Sequence, residues 1–264
     1  MLSLKDVSKY YSNPGGDHVT ALNEVSLTIR PAEFCVILGT NGSGKSTLLN
    51  LIAGTVSPTR GTILWDQRPI TDARQSHRPL VAMVHQNPEL GTSPSLTAAE
   101  NLALAMASLN RLSFRRLLSR KRLIDSSSIL FELGIDTTAR VTTPVYELSG
   151  GQRQALAIRM AVLRRPKILL LDEPSAALDP KRAKELGDLT EQLWREHRLM
   201  ILMVTHQVPQ AIRYGTRLLF MHAGRIVRDI AGDAKQHLKL NELTELYQTA
   251  YAMNPYKSLG GVEY

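Results

Sequence analysis

Two short runs of the sequence carry residue types suited to holding phosphate, and they lie more than a hundred residues apart. The first is Gly39-Thr40-Asn41-Gly42-Ser43-Gly44-Lys45-Ser46, followed by Thr47, and it fits G-x-x-x-x-G-K-[ST]. Glycines at this spacing let backbone N–H groups converge on phosphate oxygens without Cβ clashes, and the N-terminus of the next helix adds its dipole. Lys45 is expected to reach the β- and γ-phosphates and the Ser46 hydroxyl to bind Mg²⁺. The second run is Leu148-Ser149-Gly150-Gly151-Gln152-Arg153-Gln154. Ser149 and Gly151, with Gly150 between them, sit where a helix begins and offer another anion-binding end. One such loop is enough to hold a nucleotide, so the second needs its own explanation.

A phosphate loop of the first kind requires an acidic partner at the end of another buried strand. Ile168-Leu169-Leu170-Leu171-Asp172-Glu173 supplies it. Asp172 is expected to hold Mg²⁺, directly or through water, and Glu173 to orient or deprotonate an attacking water. A capped strand end is the plainer alternative, and two adjacent carboxylates after four aliphatics make it the weaker one. His206 closes the apolar run LMILMVTH, at the strand end where loops of a doubly wound sheet approach ligand, and is a candidate γ-phosphate sensor. Gln86, which ends LVAMVHQ, occupies a similar position and could contact the metal or the water.

These side chains need a framework. The stretches LSLKDV, VSLTIR, FCVIL, GTILWD and LVAMVHQ read as strands, and KSTLLNLIAG as a helix ending at Gly54. Thr97 followed three residues later by Glu100 is a capping box, so a helix is expected to start there, with helical periodicity continuing to about Leu133. After LSGGQRQ comes another helix, then the buried parallel-type strands KILLLD and LMILMVT. TRLLFMHAGRIVRDIAG reads as a hairpin turning at Ala223-Gly224, and the tail holds a helix from about Leu240 to Tyr251. The expectation is an α/β core, residues 1–87 and 165–264, interrupted by an all-helical insertion over residues 88–164.

Composition narrows the partners. The 264 residues carry a net charge of +8, which suits nucleic acid, an anionic membrane or a bound polyphosphate. No zinc-finger spacing or basic zipper is present, and 5% aromatic residues leave little for base stacking, which argues against nucleic acid. No apolar run approaches the ~18–20 residues that cross a bilayer. The N-terminus lacks the pattern of a secretory signal, so a cytosolic chain is expected. Cys35, the one cysteine, lies in FCVIL and reads as a buried structural thiol.

Taken together, GTNGSGKST, LSGGQ, LLLDEP, the segment Ser175-Ala176-Ala177-Leu178-Asp179 and a strand ending in His206 resemble the ATP-binding subunit of ABC transporters along essentially the whole chain. The resemblance implies a P-loop NTPase core of ABC type, a mixed sheet with flanking helices, carrying an inserted helical subdomain. It implies ATP and Mg²⁺ as ligands and Tyr11 of SKYY as the ring that stacks on adenine, Tyr10 fitting the spacing less well. Gln86 matches the Q-loop, Glu173 the general base, Asp179 the D-loop and His206 the switch histidine. Ser149, Gly150, Gly151 and Gln152 would grip the γ-phosphate held by a second copy, so the working form would be a homodimer closed around two ATP molecules. Two departures stand out: Ala32-Glu33 where the family has Gly-Glu, a small change in a turn, and Ala155 and Arg159 within QRQALAIRMAVL.

The resemblance further implies a separate membrane permease and peripheral attachment at the cytoplasmic face of the inner membrane. A short permease helix would dock over Gln86–Leu96, where Pro88 and Pro94 suit a hinge. Import is the expected direction, with an extracytoplasmic solute-binding protein, and VTHQVPQAIRYGTRLLFMHAGRIVRDIAG is similar to a bacterial importer group associated with tryptophan or tyrosine uptake. An exporter or lipid-extraction ATPase, and a soluble iron–sulfur-assembly ATPase, are the competing readings. Arg111–Arg122 holds six basic residues and no acid, interleaved with Leu112, Phe114, Leu117 and Leu118. It reads at minimum as a solvated amphipathic helix, and anionic headgroups would attract it by ~1 kcal/mol per basic residue near the surface.

Overall fold

The computed structural model describes residues 1–12, 18–70, 81–107, 129–135 and 143–252. Among them the first part of the chain forms strands β1 (Leu2–Ser12), β2 (His18–Ile29) and β3 (Phe34–Gly39), helix α1 (Lys45–Ala53), and strands β4 (Arg60–Trp65), β5 (Arg68–Pro69) and β6 (Val81–Val84). Helices α2 (Ala98–Ala107) and α3 (Gly150–Leu163), strand β7 (Ile168–Asp172), helix α4 (Pro180–His197) and strand β8 (Met200–Thr205) follow. Helix α5 (Val208–Arg213), the hairpin β9 (Arg217–His222) and β10 (Arg225–Ala231), and helices α6 (Asp233–Gln236) and α7 (Leu240–Ala252) are the last of the described elements. These elements divide into two compact units, one of Met1–Arg78 with Met203–Tyr264 and one of Pro79–Leu202.

The first unit holds an antiparallel sheet of order β2-β1-β4-β5. Leu2 and Leu4 face Ile29 and Leu27 across the β1–β2 pair, and all four are buried. The register shifts after Leu4, where Asp6 turns to φ 47° and its N–H finds the Ser26 hydroxyl at 2.9 Å, a bulge that sharpens the local twist. Strand β3 is buried at every residue, as its unbroken apolar run requires of a strand covered on both faces. It runs parallel to β9, with Gly39 opposite Met221. The β9–β10 turn is Ala223-Gly224 at φ 46° and 75°, the left-handed pair that lets a two-residue hairpin follow the strand twist.

Arg217 fastens this unit. Its guanidinium forks onto Asp229 at 2.7 and 2.5 Å and also donates to the Thr28 carbonyl at 2.7 Å and to Glu33 at 3.3 Å. One side chain therefore joins β9, β10, β2 and the turn before β3, and a bidentate geometry makes such a pair stronger than an ordinary surface pair. In that turn Ala32 adopts φ 58°, a conformation that favours glycine. Cys35 is buried without a disulfide, as its place in FCVIL led us to expect, and burial pushes its thiol pKa up.

The second unit pairs β6 and β7 in parallel, Val84 standing opposite Leu171. The expected capping box starts α2: Thr97 N–H donates to Glu100 at 2.8 Å, and Glu100 N–H donates to the Thr97 hydroxyl at 3.2 Å. Residues 129–132 are helical, while Arg111–Arg122 and its basic face lie outside the described residues. Leu102, Leu130, Val145, Leu148 and Leu156 form a buried cluster that joins α2, this short helical stretch and α3. The 18 residues of α4 escaped the sequence reading, although Asp179 before Pro180 is a helix-start signal: the Asp179 carboxylate accepts from the N–H groups of Lys181 and Arg182 at 3.1 and 3.0 Å.

Candidate functional site

The candidate residues fall into two sets, one in each unit. In the first unit, Gly39–Thr47 form the link between β3 and α1 and the first turn of that helix. Their glycines are there for close approach. A Cβ on Gly39 would stand 2.3 Å from the Met221 carbonyl oxygen, and one on Gly44, at φ 95°, 2.2 Å from that of Ala21. Gly42 takes φ 75° in open space. Gly44 caps α1 without a side-chain hydrogen bond, which leaves capping of the first turn to something other than a neighbouring side chain. Lys45 is buried, and its ammonium spans the loop to the carbonyls of Gly39 and Thr40 at 3.0 and 2.9 Å. The Ser43 hydroxyl is buried with no hydrogen-bond partner among the described residues. A cradle that a Cβ would fill, a lysine across its mouth and an unsatisfied hydroxyl in its wall fit the phosphates of a nucleotide. Ser46, exposed on the first turn of α1, supplies a hydroxyl of the kind that binds Mg²⁺.

Tyr11 lies near the end of β1, opposite Val19, 39% exposed and with the Lys9 ammonium 5.1 Å from its ring centroid. His206 follows β8 and is exposed. The turn that carries it is fixed by the Thr205 hydroxyl, which accepts from Gln207 N–H at 3.0 Å.

In the second unit, Asp172 ends β7, and Glu173 follows in the left-handed region at φ 49°. A β-carbon there costs of order 1–2 kcal/mol, and backbone strain of this size gathers where chemistry needs a side chain aimed off the regular strand path. Gln86 is exposed two residues past β6. Asp179, read as a D-loop residue, is the N-cap of α4 and also lies 3.4 Å from Arg182.

Ser149 is the N-cap of α3 and closes a full capping box with Gln152: each backbone N–H meets the other's side chain, at 3.1 and 3.3 Å. The pattern S-x-x-Q is legible in LSGGQ as a capping signal, and the reading of that stretch as an anion site passed it over. Gln152 reaches on to the Gly134 carbonyl at 2.9 Å. Around this helix start lies a cavity of 380 Å³ bordered by Gly134, Ser149, Gly151, Gln152 and Arg182.

Sequence reasoning also missed how α3 is tied to the strand that carries Gln86. Gln154, 2% exposed, donates its amide to the His85 carbonyl at 3.0 Å, and Arg153 stands 3.7 Å from Glu89. Beyond this tie a groove of 400 Å³ runs past Met83, His85, Leu90, Leu104, Met160 and Arg164. Leu90 is 71% exposed at its rim.

Known proteins resemble this chain over nearly its full length. The ABC transporter family model matches residues 22–176. A tyrosine transport ATP-binding protein of Clostridioides difficile is 40% identical over 95% of this chain and 100% of its own length. An aliphatic sulfonates import ATP-binding protein of Escherichia coli is 33% identical over 92% of this chain and 85% of its own. Among solved structures, a dimeric ATP-binding cassette in a post-hydrolysis state bound to ADP and Pi is 30% identical with a TM-score of 0.74, over 88% of this chain and 98% of that one. The phosphate-cradling loop, the paired carboxylates after a buried strand and these likenesses converge: the chain belongs to the ABC transporter family, as an ATP-binding ATPase subunit.

Proposed function

We propose that the chain drives a solute importer by closing as a homodimer around two Mg²⁺-ATP and reopening after hydrolysis. The observation that carries this is the loop Gly39–Ser46, whose glycines leave room for phosphate and whose buried Lys45 spans it. In this reading Tyr11 stacks on adenine, and Asn41 through Thr47 hold the triphosphate. Ser46, Gln86 and Asp172 hold Mg²⁺, which supplies charge neutralisation at the phosphates when bound. Glu173 accepts the proton of the attacking water, His206 senses the γ-phosphate, and Asp179 lies at the meeting of the two copies. Ser149, Gly150, Gly151 and Gln152 take the γ-phosphate of the partner copy: the capping box engages the Gln152 N–H, and the first-turn N–H groups of Gly150 and Gly151 have no intrahelical acceptor.

The division of labour follows: residues 1–87 and 165–264 act as the ATPase core, residues 88–164 as the signature subdomain. The groove beside Gln86, with Leu90 exposed on its rim, receives a segment of the permease and holds the subunit at the cytoplasmic face of the membrane. Among the described residues no helix is long and apolar enough to cross a membrane, so the span is assigned to the permease. An extracytoplasmic binding protein completes the system. The likeness to a tyrosine transport protein favours an aromatic amino acid as the solute.

Lys45→Ala is expected to abolish ATP binding in calorimetry. Glu173→Gln is expected to retain binding, to cut hydrolysis by about 10²–10⁴-fold, and to accumulate an ATP-bound dimer in size-exclusion chromatography. Hydrolysis by the Gln variant at the wild-type rate would remove Glu173 from the mechanism.

A further inference from the structure

Three backbone segments of the first unit meet at van der Waals distance: the phosphate loop, strand β2 at Ala21–Leu22, and the β9–β10 turn. The loop is gauged at both ends by backbone, with the Leu22 side chain also standing against Gly44. Gly39 presses on the Met221 carbonyl at the end of β9, and Gly44 on the Ala21 carbonyl of β2, so close that a Cβ at either would stand 2.3 or 2.2 Å from an oxygen. The two neighbours are in turn held to each other and to the loop by one residue. Gly224 N–H donates to the Ser43 carbonyl at 3.2 Å, and the Gly224 carbonyl accepts from Asn23 N–H at 2.9 Å. A Cβ on Gly224, at φ 75°, would lie 2.9 Å from the Ala21 carbonyl oxygen and 3.2 Å from Leu22 Cα. Both are backbone atoms that cannot swing aside.

We propose that Gly224 is a positioning residue for ATP binding: the β9–β10 turn sets the spread of the phosphate loop through its hydrogen bond to Ser43. The inference rests on the nucleotide reading of that loop. Amides that surround a phosphate must be held to within about 0.5 Å of their productive places, and a displacement near 1 Å costs up to about a hundredfold. The turn meets the loop through the backbone hydrogen bond from Gly224 N–H to the Ser43 carbonyl. Its effect therefore falls on affinity and leaves the hydrolytic groups of the other unit alone.

Gly224→Ala is the test, with Gly232→Ala as its control. Gly232 also has a positive φ, 59°, but nothing lies within 4 Å of the place its Cβ would take. Both variants carry backbone strain and are expected to lower the Tm. Only Gly224→Ala is expected to raise the Kd for Mg²⁺-ATP, and the KM for hydrolysis with it, by roughly ten- to a hundredfold, while kcat at saturating ATP stays within about threefold of wild type. Equal Kd values for wild type, Gly224→Ala and Gly232→Ala would overturn the proposal, as would a rise of the same size in both variants. Should Gly224→Ala fail to fold, one glycine inserted between Ala223 and Gly224 lengthens the turn without adding a Cβ; it is expected to raise the Kd similarly, and an insertion variant with wild-type Kd overturns the proposal. A wild-type chain that binds no ATP in the same calorimetry would instead overturn the nucleotide reading.

Discussion

Two helices of this chain begin in glycine-rich loops, and they begin in opposite ways. At α1 the cap is Gly44, left-handed and without a side-chain hydrogen bond, and the loop's glycines are pressed against the carbonyls of Met221 and Ala21. At α3 the cap is Ser149, paired with Gln152 in a closed capping box. There a Cβ on Gly150 would come no nearer than 3.8 Å to Leu178, and one on Gly151 would meet only the Arg182 side chain, at 3.2 Å. The first loop uses glycine because its own protein crowds it, and it leaves its helix end for a ligand to cap. The second caps its own helix start through Ser149 and Gln152. Its small residues keep the surface there low, as the proposed approach of a second copy would require. Similar composition thus hides two purposes, occupancy by a nucleotide and approach by a partner.

The contrast breaks most visibly at Gly44. Gly44→Ala forces a Cβ onto the Ala21 carbonyl and is expected to weaken Mg²⁺-ATP binding by roughly a hundredfold, read by calorimetry; an affinity near wild type would deny that crowding shapes the loop. Ser149→Ala removes the capping hydroxyl of α3 and is expected to cost about 1 kcal/mol in urea unfolding, with the chain's own ATP affinity unchanged. A change in affinity but not in stability would reverse the roles given to the two loops. Ala32→Gly tests backbone demand where the chain did not use glycine. Relief of the left-handed strain outweighs the added freedom of the unfolded chain, for a gain of roughly 0.5 kcal/mol in the same titration. The smallest effect belongs to Gly151→Ala. Arg182 is a flexible side chain and can yield, so stability is expected to hold within about 0.5 kcal/mol.

Much of this arrangement is legible in the sequence because its signals are local. G-x-x-x-x-G-K-S between an apolar strand and a helix, Thr97 three residues before Glu100, and the aliphatic run before Asp172 each contain their own physical reason within a few residues. What stayed hidden depends on distant neighbours. Nothing around Gly224 in the sequence says that it abuts Ala21 and Leu22, two hundred residues earlier. No glycine marks Glu173 as left-handed. Gln154 sits in a helical pattern that gives no hint of its bond to the His85 carbonyl. Helix α4 is a different case: its signals, Asp179 and Pro180, were present and were read only as part of a motif.

The groove walled by α3 has a pharmacological consequence. At 400 Å³, with Met83, Leu104, Met160 and Arg164 among a mixed polar and apolar lining, it has room for a small molecule. None of the residues assigned to ATP lines it. If the permease segment binds this groove as proposed, a compound lodged there would compete with that segment and not with the nucleotide. Its inhibition of transport would persist at any ATP concentration, and ATPase assays on the isolated subunit would overlook it.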